Sequence, residues 1–260
     1  MRWMAAALVL ICAAASGQVV EAKRPAFEVA TIRPVDPNKG GMVGFISRPG
    51  GRVELGYATV KMLAYYAFDV QMTHVVGGPD WAGTERFNIL AMPPEDADSR
   101  TAKSPPLKAT PSDEQRKMIE SLLVERFGFK FHREMREMPV YLLECGSGKL
   151  GLETPKDPDA DSRGGVVMRG GGIVSGEAFG TNVTMDFLAR QLSGWMDRPV
   201  LNRTGLAGHY DFKLEPVDPE NTDYNLAAIG AMSRLGLKLR AAKGMVEMIV
   251  IDEVSRPTAN

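Results

Sequence analysis

The chain has 260 residues, of which 44% are hydrophobic and 24% charged, a composition typical of a globular protein and not of a disordered one. Its 31 Lys and Arg residues balance 32 Asp and Glu residues, so no net field favours nucleic acid or an anionic membrane surface. Only two cysteines and three histidines are present, which restricts disulfides, metal sites and histidine-based catalysis.

The N-terminus is predicted to be a secretory signal peptide. Arg2 precedes an apolar run at residues 3–15, and small and polar residues follow it. The run is shorter than the roughly twenty residues that a membrane-spanning helix needs. We expect residues 1–17 to be the signal peptide, with cleavage after Gly17 or alternatively after Ala22, and a mature protein that is periplasmic or secreted.

Three residue types recur at one constant separation of 125 positions: Thr59 and Thr184, Gly83 and Gly208, and Phe87 and Phe212. We interpret them as an internal repeat of one supersecondary unit, each copy of which can bury its own apolar face. The first repeat lobe is predicted at residues 27–148 and the second at 173–256. Residues 149–172, rich in Gly, Asp and Pro, are predicted to be the linker between them.

The first lobe begins with residues 27–33, which alternate apolar and polar side chains and are predicted to add an edge strand. Its further elements are predicted as a strand at 52–55, a helix beginning at Thr59, a turn at 77–79 before Trp81, a strand at 87–91, a helix that carries Met118 and ends at Gly128, and a closing strand at 140–145. Residues 93–112, rich in Pro, Ser, Asp and Lys, are predicted to be an exposed loop insertion.

The second lobe is predicted to repeat this order of strand, helix, strand, strand, helix, strand, strand. Its elements are a strand at 173–179, a helix at 184–196 capped by Asn182 or Thr184, a strand at 199–203, a turn at 204–208, a strand at 210–214, a helix at 224–235 that ends at Gly236, and a hairpin of 237–241 and 246–254 around Lys243 and Gly244. The sequence therefore predicts an α+β fold of two similar lobes, each a small mixed sheet covered by two helices.

Nine short motifs give the chain a resemblance to a known family: 27–34 (FEVATIRP), 77–81 (GGPDW), 85–89 (ERFNI), 132–134 (HRE), 138–141 (MPVY), 198–200 (RPV), 204–206 (TGL), 208–212 (GHYDF) and 236–239 (GLKL). Through them the chain resembles a soil-associated bacterial family of secreted proteins of unknown function. The domain of that family also occurs appended to membrane metallopeptidases similar to beta-lactam sensors. The resemblance implies location and membership, and the family itself has no settled activity.

Two segments of the second lobe resemble the N-terminal module of secretins and TonB receptors. Residues 184–188 (TMDFL) look like the first helix of that module, and residues 235–239 (LGLKL) look like its turn from second helix to strand. The module is a non-enzymatic docking domain at the cell envelope. The resemblance therefore implies docking, and it transfers no binding residue.

No residues have the spacing of a known catalytic or metal site. His74, His132 and His209 lie outside metal-ligand spacing of one another and of Cys145. We interpret His132 and His209, which lie beside predicted strands, as hydrogen-bonded structural residues. The serine-hydrolase G-x-S-x-G motif, the S-x-x-K motif and the P-loop are all absent from the sequence. We therefore predict that the protein is not an enzyme and has no catalytic, cofactor-binding or metal-binding residues.

Three further side chains carry separate expectations. If Cys12 leaves with the signal peptide, Cys145 is the only cysteine, and it is interpreted as a small buried residue at a strand end. Trp81 is predicted to fill a gap between helix and sheet, the alternative being a partner-binding anchor. Trp195 is predicted to lie at the edge of the core.

The leading hypothesis is an exported, non-catalytic interaction module that binds an envelope protein or a peptide, with exposed strand edges that accept an added strand. The alternative is a protein that binds a small molecule or glycan in a cleft between the lobes, lined by aromatic residues from both. An enzyme of unfamiliar type would require Asp or Glu beside His132 or His209 in one pocket. No nucleic-acid partner is expected, and no integral membrane segment after signal cleavage.

Overall fold

A computed structural model of the protein describes residues 24–36, 41–97, 110–155, 165–169, 177–214 and 223–257. The fold is α+β, as the sequence predicts. The predicted signal peptide and residues 98–109 of the predicted loop insertion lie outside the described residues.

The first half contributes strands β1 (Val29–Pro34), β2 (Gly44–Ser47), β3 (Val53–Ala58), β4 (Val75–Gly77), β5 (Phe87–Met92) and β6 (Lys130–Cys145), with helices α1 (Val60–Phe68), α2 (Trp81–Thr84) and α3 (Asp113–Phe127). The second half contributes β7 (Gly165–Arg169), β8 (Glu177–Val183), β9 (Val200–Asn202), β10 (Tyr210–Leu214) and β11 (Leu237–Glu253), with helices α4 (Met185–Trp195) and α5 (Tyr224–Arg234). Strand β7 lies within the stretch predicted as a linker.

Side-chain caps and one glycine fix the ends of the principal helices. Thr59 accepts a hydrogen bond from the Met62 N–H at 3.2 Å, and Thr184 accepts one from the Phe187 N–H at 3.2 Å. Helix α3 ends at Gly128, whose left-handed φ of 56° requires little strain in glycine. Thr59, Thr184 and Gly128 thus have the capping roles that the sequence predicts for them.

The strands form three sheets. In the first half, an antiparallel sheet has the order β1-β5-β3-β2, so β1 is an edge strand as predicted. In the second half, a smaller antiparallel sheet has the order β10-β8-β7. The third sheet has the order β4-β11-β6-β9 and is mixed, because its two central strands are antiparallel and each outer strand runs parallel to its neighbour.

The mixed sheet is common to both halves. Strand β4 of the first half pairs with β11 of the second half, and β9 of the second half pairs with β6 of the first. We call the antiparallel pair of β6 and β11 the central ribbon; its register runs from Leu237 opposite Cys145 to Ile251 opposite Phe131. The arrangement therefore differs from the predicted one, in which each lobe has a mixed sheet of its own.

The predicted hairpin around Lys243 and Gly244 is wrong, because β11 passes through both residues as one strand. Gly244 lies opposite Met138 and does not have a positive φ. A Cβ atom at Gly244 would lie 2.9 Å from both Leu201 Cδ1 and Val140 Cγ2. Glycine is needed here for close packing across the ribbon and not for a turn. The closing strand predicted at 140–145 likewise begins ten residues earlier, at Lys130.

The ribbon contributes to three hydrophobic cores. Ile249 and Ile251 pack in the core of the first half, which includes the fully buried Phe127. Leu143 and Leu237 pack in the core of the second half. A third, smaller core of Val140, Val246 and Met248 lies on the ribbon itself and is flanked by Val76 of β4 and Leu201 of β9. Burial on the ribbon therefore links the two halves.

Candidate functional site

The central ribbon has two outer edges that its neighbours cover only in part. Strand β4 pairs with β11 only at Ile249–Ile251, and β9 pairs with β6 only at Tyr141–Leu143. Within the described ranges, no strand pairs with the outer edge of β6 at residues 131–139 or with that of β11 at 239–247. These two stretches are the longest open strand edges of the mixed sheet.

The hydrogen bonds to β9 show which backbone groups point outward from β6. The Tyr141 N–H donates to the Pro199 carbonyl at 2.8 Å, and the Leu143 carbonyl accepts from the Arg203 N–H at 2.8 Å. Backbone groups alternate between the two sides of a strand, so the other odd-numbered residues of β6 also point outward. Pro139 occupies one of these positions, where its missing N–H removes no bond to β11.

The same alternation applies to β11. Two residues opposite each other in an antiparallel pair direct their backbone N–H and C=O groups either both toward each other or both away from each other. Ile249 and Ile251 lie where β11 pairs with β4. The odd-numbered residues from 241 to 247 likewise direct their N–H and C=O groups away from β6. The four free positions are Ala241, Lys243, Met245 and Glu247. In β6 the outward residues with a free N–H group are Phe131, Arg133, Met135 and Glu137.

Charged side chains lie along both edges. Arg133 Nη1 lies 2.6 Å from Glu247 Oε2, and Lys243 Nζ lies 3.3 Å from Glu137 Oε1. Such charges hinder unspecific edge-to-edge aggregation. Each edge is interrupted by one exposed methionine, Met135 with 53% and Met245 with 52% of its surface accessible. An exposed apolar side chain between charges marks both edges as places where a specific strand could pair.

Ion pairs within β6 and at the ends of the ribbon lower carboxyl pKa values. The Arg136 guanidinium hydrogen bonds to Glu134 at 2.8 Å and lowers the pKa of Glu134. Arg240 does the same for Glu144, with a shortest contact of 2.6 Å. Both carboxylates therefore stay ionised well into the acidic range, and the charge pattern of the ribbon persists at neutral pH.

A second candidate site is a cleft of about 320 Å³ between the two halves. Asp69 is one of its lining residues and occupies the left-handed position that ends α1, with φ of 55°. One carboxylate oxygen lies 2.9 Å from Arg116 Nη1 of α3, and the other lies 3.0 Å from Arg190 Nη1 of α4. Gln71 also crosses the cleft, because its side-chain N–H donates to the Arg190 carbonyl at 2.8 Å. These bonds fix the two halves to one another at the cleft.

Aromatic and polar side chains line the rest of the cleft. Tyr65 comes from the first half and Phe187 from the second, with His209 and Gln191 beside them. Burial, followed by the charge of Asp69, raises the pKa of Tyr65, so its hydroxyl remains a hydrogen-bond donor at neutral pH. The two arginines are balanced by Asp69 and by Asp113 at the mouth, so the cleft has no strong preference for an anion.

The structure does not bring the three histidines together. His74 is buried, and burial lowers its pKa. His132 hydrogen bonds through Nδ1 to Asp252 at 2.9 Å, so the predicted hydrogen bond is present. His209 lines the cleft, which is also lined by Asp69 and Asp113. In the described part of the chain, no group of three or more His, Cys, Asp or Glu residues could hold a metal ion.

Cys145 and Trp81 are the subjects of two further predictions. The prediction that Cys145 is buried is wrong: Cys145 is exposed, and its thiol donates to the Thr204 carbonyl at 3.4 Å. The reason is that β9 covers β6 only as far as Leu143. Trp81 packs against the first core, as predicted, with the Arg256 guanidinium 4.9 Å from its ring centre.

The sequence reasoning missed the cleft residues Asp69, Arg116 and Arg190. The sequence contained one usable signal, because α1 ends at Asp69 and not at a glycine. A non-glycine residue in the left-handed position is uncommon, and such a residue is more often Asn or Asp. The partners of Asp69 come from two other helices, and no spacing in the sequence indicates that they meet.

Residues 61–254 match a family model described as a protein of unknown function, DUF3738. The chain belongs to this family. The matched region begins in α1 and ends just after β11, so the DUF3738 domain includes the whole central ribbon and the residues on both sides of the cleft. No curated protein and no solved structure matches the chain. Among the residues described, no helix has the length and apolar character needed to cross a membrane.

Proposed function

We propose that this DUF3738 protein is an exported, non-catalytic interaction module that binds an envelope protein or peptide by strand addition to the outer edge of β11. The observation that carries the proposal is the open stretch at residues 241–247, where four successive outward positions lack a neighbouring strand in the described chain. An extended segment of a partner can pair with such an edge through its backbone.

The side chains of this edge leave room for an incoming strand. Ala241, Ala242 and Gly244 are small, so they do not shield the backbone groups beside them. Met245 offers an apolar contact, and the Lys243 side chain is 77% exposed. We infer that the partner is an extended protein segment with an apolar residue opposite Met245 and an acidic residue opposite Lys243. The backbone supplies affinity and these two side chains supply selectivity.

Three observations support export and a non-catalytic role. The N-terminal sequence has the features of a signal peptide. The family resemblance implies secreted proteins, and the second resemblance implies docking at the envelope. The three histidines lie apart from one another, and His209 shares the cleft with Asp69, whose two carboxylate oxygens are held by Arg116 and Arg190. We therefore propose that the mature protein works in the periplasm or outside the cell.

The test is crosslinked capture of partners from the envelope extract, with wild-type protein and two variants of one residue. Met245→Pro removes an outward N–H and leaves the bonds to β6 in place, whereas Met245→Ala shortens the side chain and keeps the N–H. We expect a captured protein that is lost with Met245→Pro and retained with Met245→Ala. Partners that bind both variants and the wild type equally would overturn strand addition at this edge.

The cleft supports a second candidate function, binding of a small molecule or glycan. The specific observation is that Tyr65 and Phe187, from different halves, line one cavity together with amide and guanidinium groups that can donate hydrogen bonds. A panel of defined oligosaccharides should then raise the melting temperature of the wild type, and Phe187→Ala should abolish the shift. If no member of the panel shifts the wild type, or if Phe187→Ala responds like the wild type, the candidate fails.

A further inference from the structure

The open edge of β6 has a charge pattern that is complementary to itself. Its central residues read Arg133, Glu134, Met135, Arg136 and Glu137. When two copies of this segment are placed antiparallel about Met135, Arg133 lies opposite Glu137 and Glu134 lies opposite Arg136. Each copy contributes both pairs, so four pairs of opposite charge form around two methionines. Opposite charges at facing positions stabilise an antiparallel pair.

The backbone supports the same register. Two edges can form hydrogen bonds only if outward residues of one copy face outward residues of the other. Met135 is an outward residue, so a two-fold axis through it also pairs Arg133 with Glu137, both of which point outward. An axis between two residues would oppose outward and inward groups. Axes through Arg133, Glu134, Arg136 or Glu137 would each place two like charges opposite one another.

The geometry points to a second copy of this chain as the occupant of the β6 edge, paired antiparallel with Met135 on the two-fold axis. The pairing joins two four-stranded mixed sheets into one continuous sheet. Pro139 limits it, because that residue has no N–H to offer to the opposite Phe131. The inference rests on the proposed use of ribbon edges, but it concerns β6, whereas the partner of the proposed function binds β11.

The side chains involved are accessible, and their charges remain balanced. Met135, Arg133, Arg136 and Glu137 are all exposed. In the single chain, Arg133 pairs with Glu247, and Arg136 pairs with Glu134. Association therefore extends existing ion pairs into a network and buries no uncompensated charge. The charges on the edge of β11 are less complementary to themselves than those of β6. An axis through Met245 pairs only Lys243 with Glu247, and it places Gly244 opposite Val246.

The decisive test exchanges the charges of Glu134 and Arg136, which pair with each other in the single chain. Sedimentation equilibrium of the exported protein, after removal of its signal peptide, should show a concentration-dependent dimer. Glu134→Arg or Arg136→Glu alone should weaken the dimer about tenfold, because each places like charges opposite one another. The double variant Glu134→Arg/Arg136→Glu should restore the wild-type constant. A wild type that stays monomeric, or a double variant as weak as the single ones, would overturn the inference.

Proline variants separate this inference from the proposed function. Met135→Pro should abolish the dimer and leave partner capture unchanged, whereas Met245→Pro should abolish capture and leave the dimer unchanged. Circular dichroism checks that both variants fold. A dimer lost with Met245→Pro and kept with Met135→Pro would contradict the assignment of β6.

A crosslink gives an independent readout of the register. Facing hydrogen-bonded residues in antiparallel strands have Cα atoms about 5.5 Å apart, within the range that a disulfide requires. Met135→Cys, in a background where Cys145→Ser removes the exposed native thiol, should form a disulfide-linked dimer on mild oxidation. Met245→Cys in the same background serves as the control. Equal crosslinking of the two variants would contradict the proposed axis.

Discussion

His74 illustrates how burial of one side chain makes stability depend on pH. Only 8% of its surface is accessible, and its Nε2 atom has no hydrogen-bond partner among the described residues. Burial disfavours the charged imidazolium and lowers the pKa of His74 from its ordinary value of 6.5. The stability associated with neutral His74 is complete above the unfolded pKa and is lost as the pH falls from there through the folded pKa.

We therefore predict that the free energy of unfolding decreases below about pH 6.5, by at most about 1.4 kcal/mol per pH unit for this one group. His74→Gln should remove this part of the slope, while the matched variant His209→Gln should keep it. Urea denaturation at a series of pH values measures both. Wild type and His74→Gln with parallel pH profiles would show that His74 is not responsible.

Gly244 shows how one residue affects an element, because a side chain at this position of β11 would crowd its neighbours. A Cβ atom there would press on Leu201 and Val140. Gly244→Ala should therefore destabilise the protein by about 1–3 kcal/mol, the range for overpacking a core. Leu201→Ala should recover part of this loss, so the double variant should be less destabilised than the sum of the two single variants.

Chemical denaturation of the four proteins in this cycle measures the coupling between the two positions. Strict additivity would mean that Gly244 is needed for another reason than its contact with Leu201. A Gly244→Ala variant as stable as the wild type would contradict the close packing of Gly244 against Leu201 and Val140.

The helices were predictable from sequence, and the pairing of the long strands was not. Thr59 and Thr184 mark helix starts because a hydroxyl can satisfy a free N–H locally, within three residues. The continuity of β11 depends instead on contacts with β6 and β9, which are distant in sequence. Lys243 and Gly244 have the local character of a turn, and tertiary packing overrides it. The cleft was missed for the same reason, because Asp69 meets arginines from two other helices.

At the scale of the whole molecule, the shared ribbon determines how the two halves unfold. Each half has its own core, but Ile249 of β11 packs in the first core and Leu143 of β6 in the second. Neither half can keep its core intact while the ribbon is separated. The structure therefore predicts a single cooperative transition for the two halves.

One tryptophan in each half can report on this transition. Trp81 packs on the first core and Trp195 on the second. In the mature protein, Trp81→Phe leaves a reporter of the second half, and Trp195→Phe leaves a reporter of the first. Fluorescence of each variant should give the same urea midpoint as its own circular dichroism. Separate midpoints for the two signals would mean that the halves are independent domains.

Amide hydrogen exchange tests, residue by residue, whether the open edge of β11 is the proposed docking surface. Exchange should be compared for the free protein and for its purified complex with a captured partner. The account predicts that binding slows the outward amides of Ala241, Lys243, Met245 and Glu247, because a partner strand accepts their hydrogen bonds. Protection confined to the cleft around Tyr65 and Phe187, with the β11 edge unchanged, would contradict it.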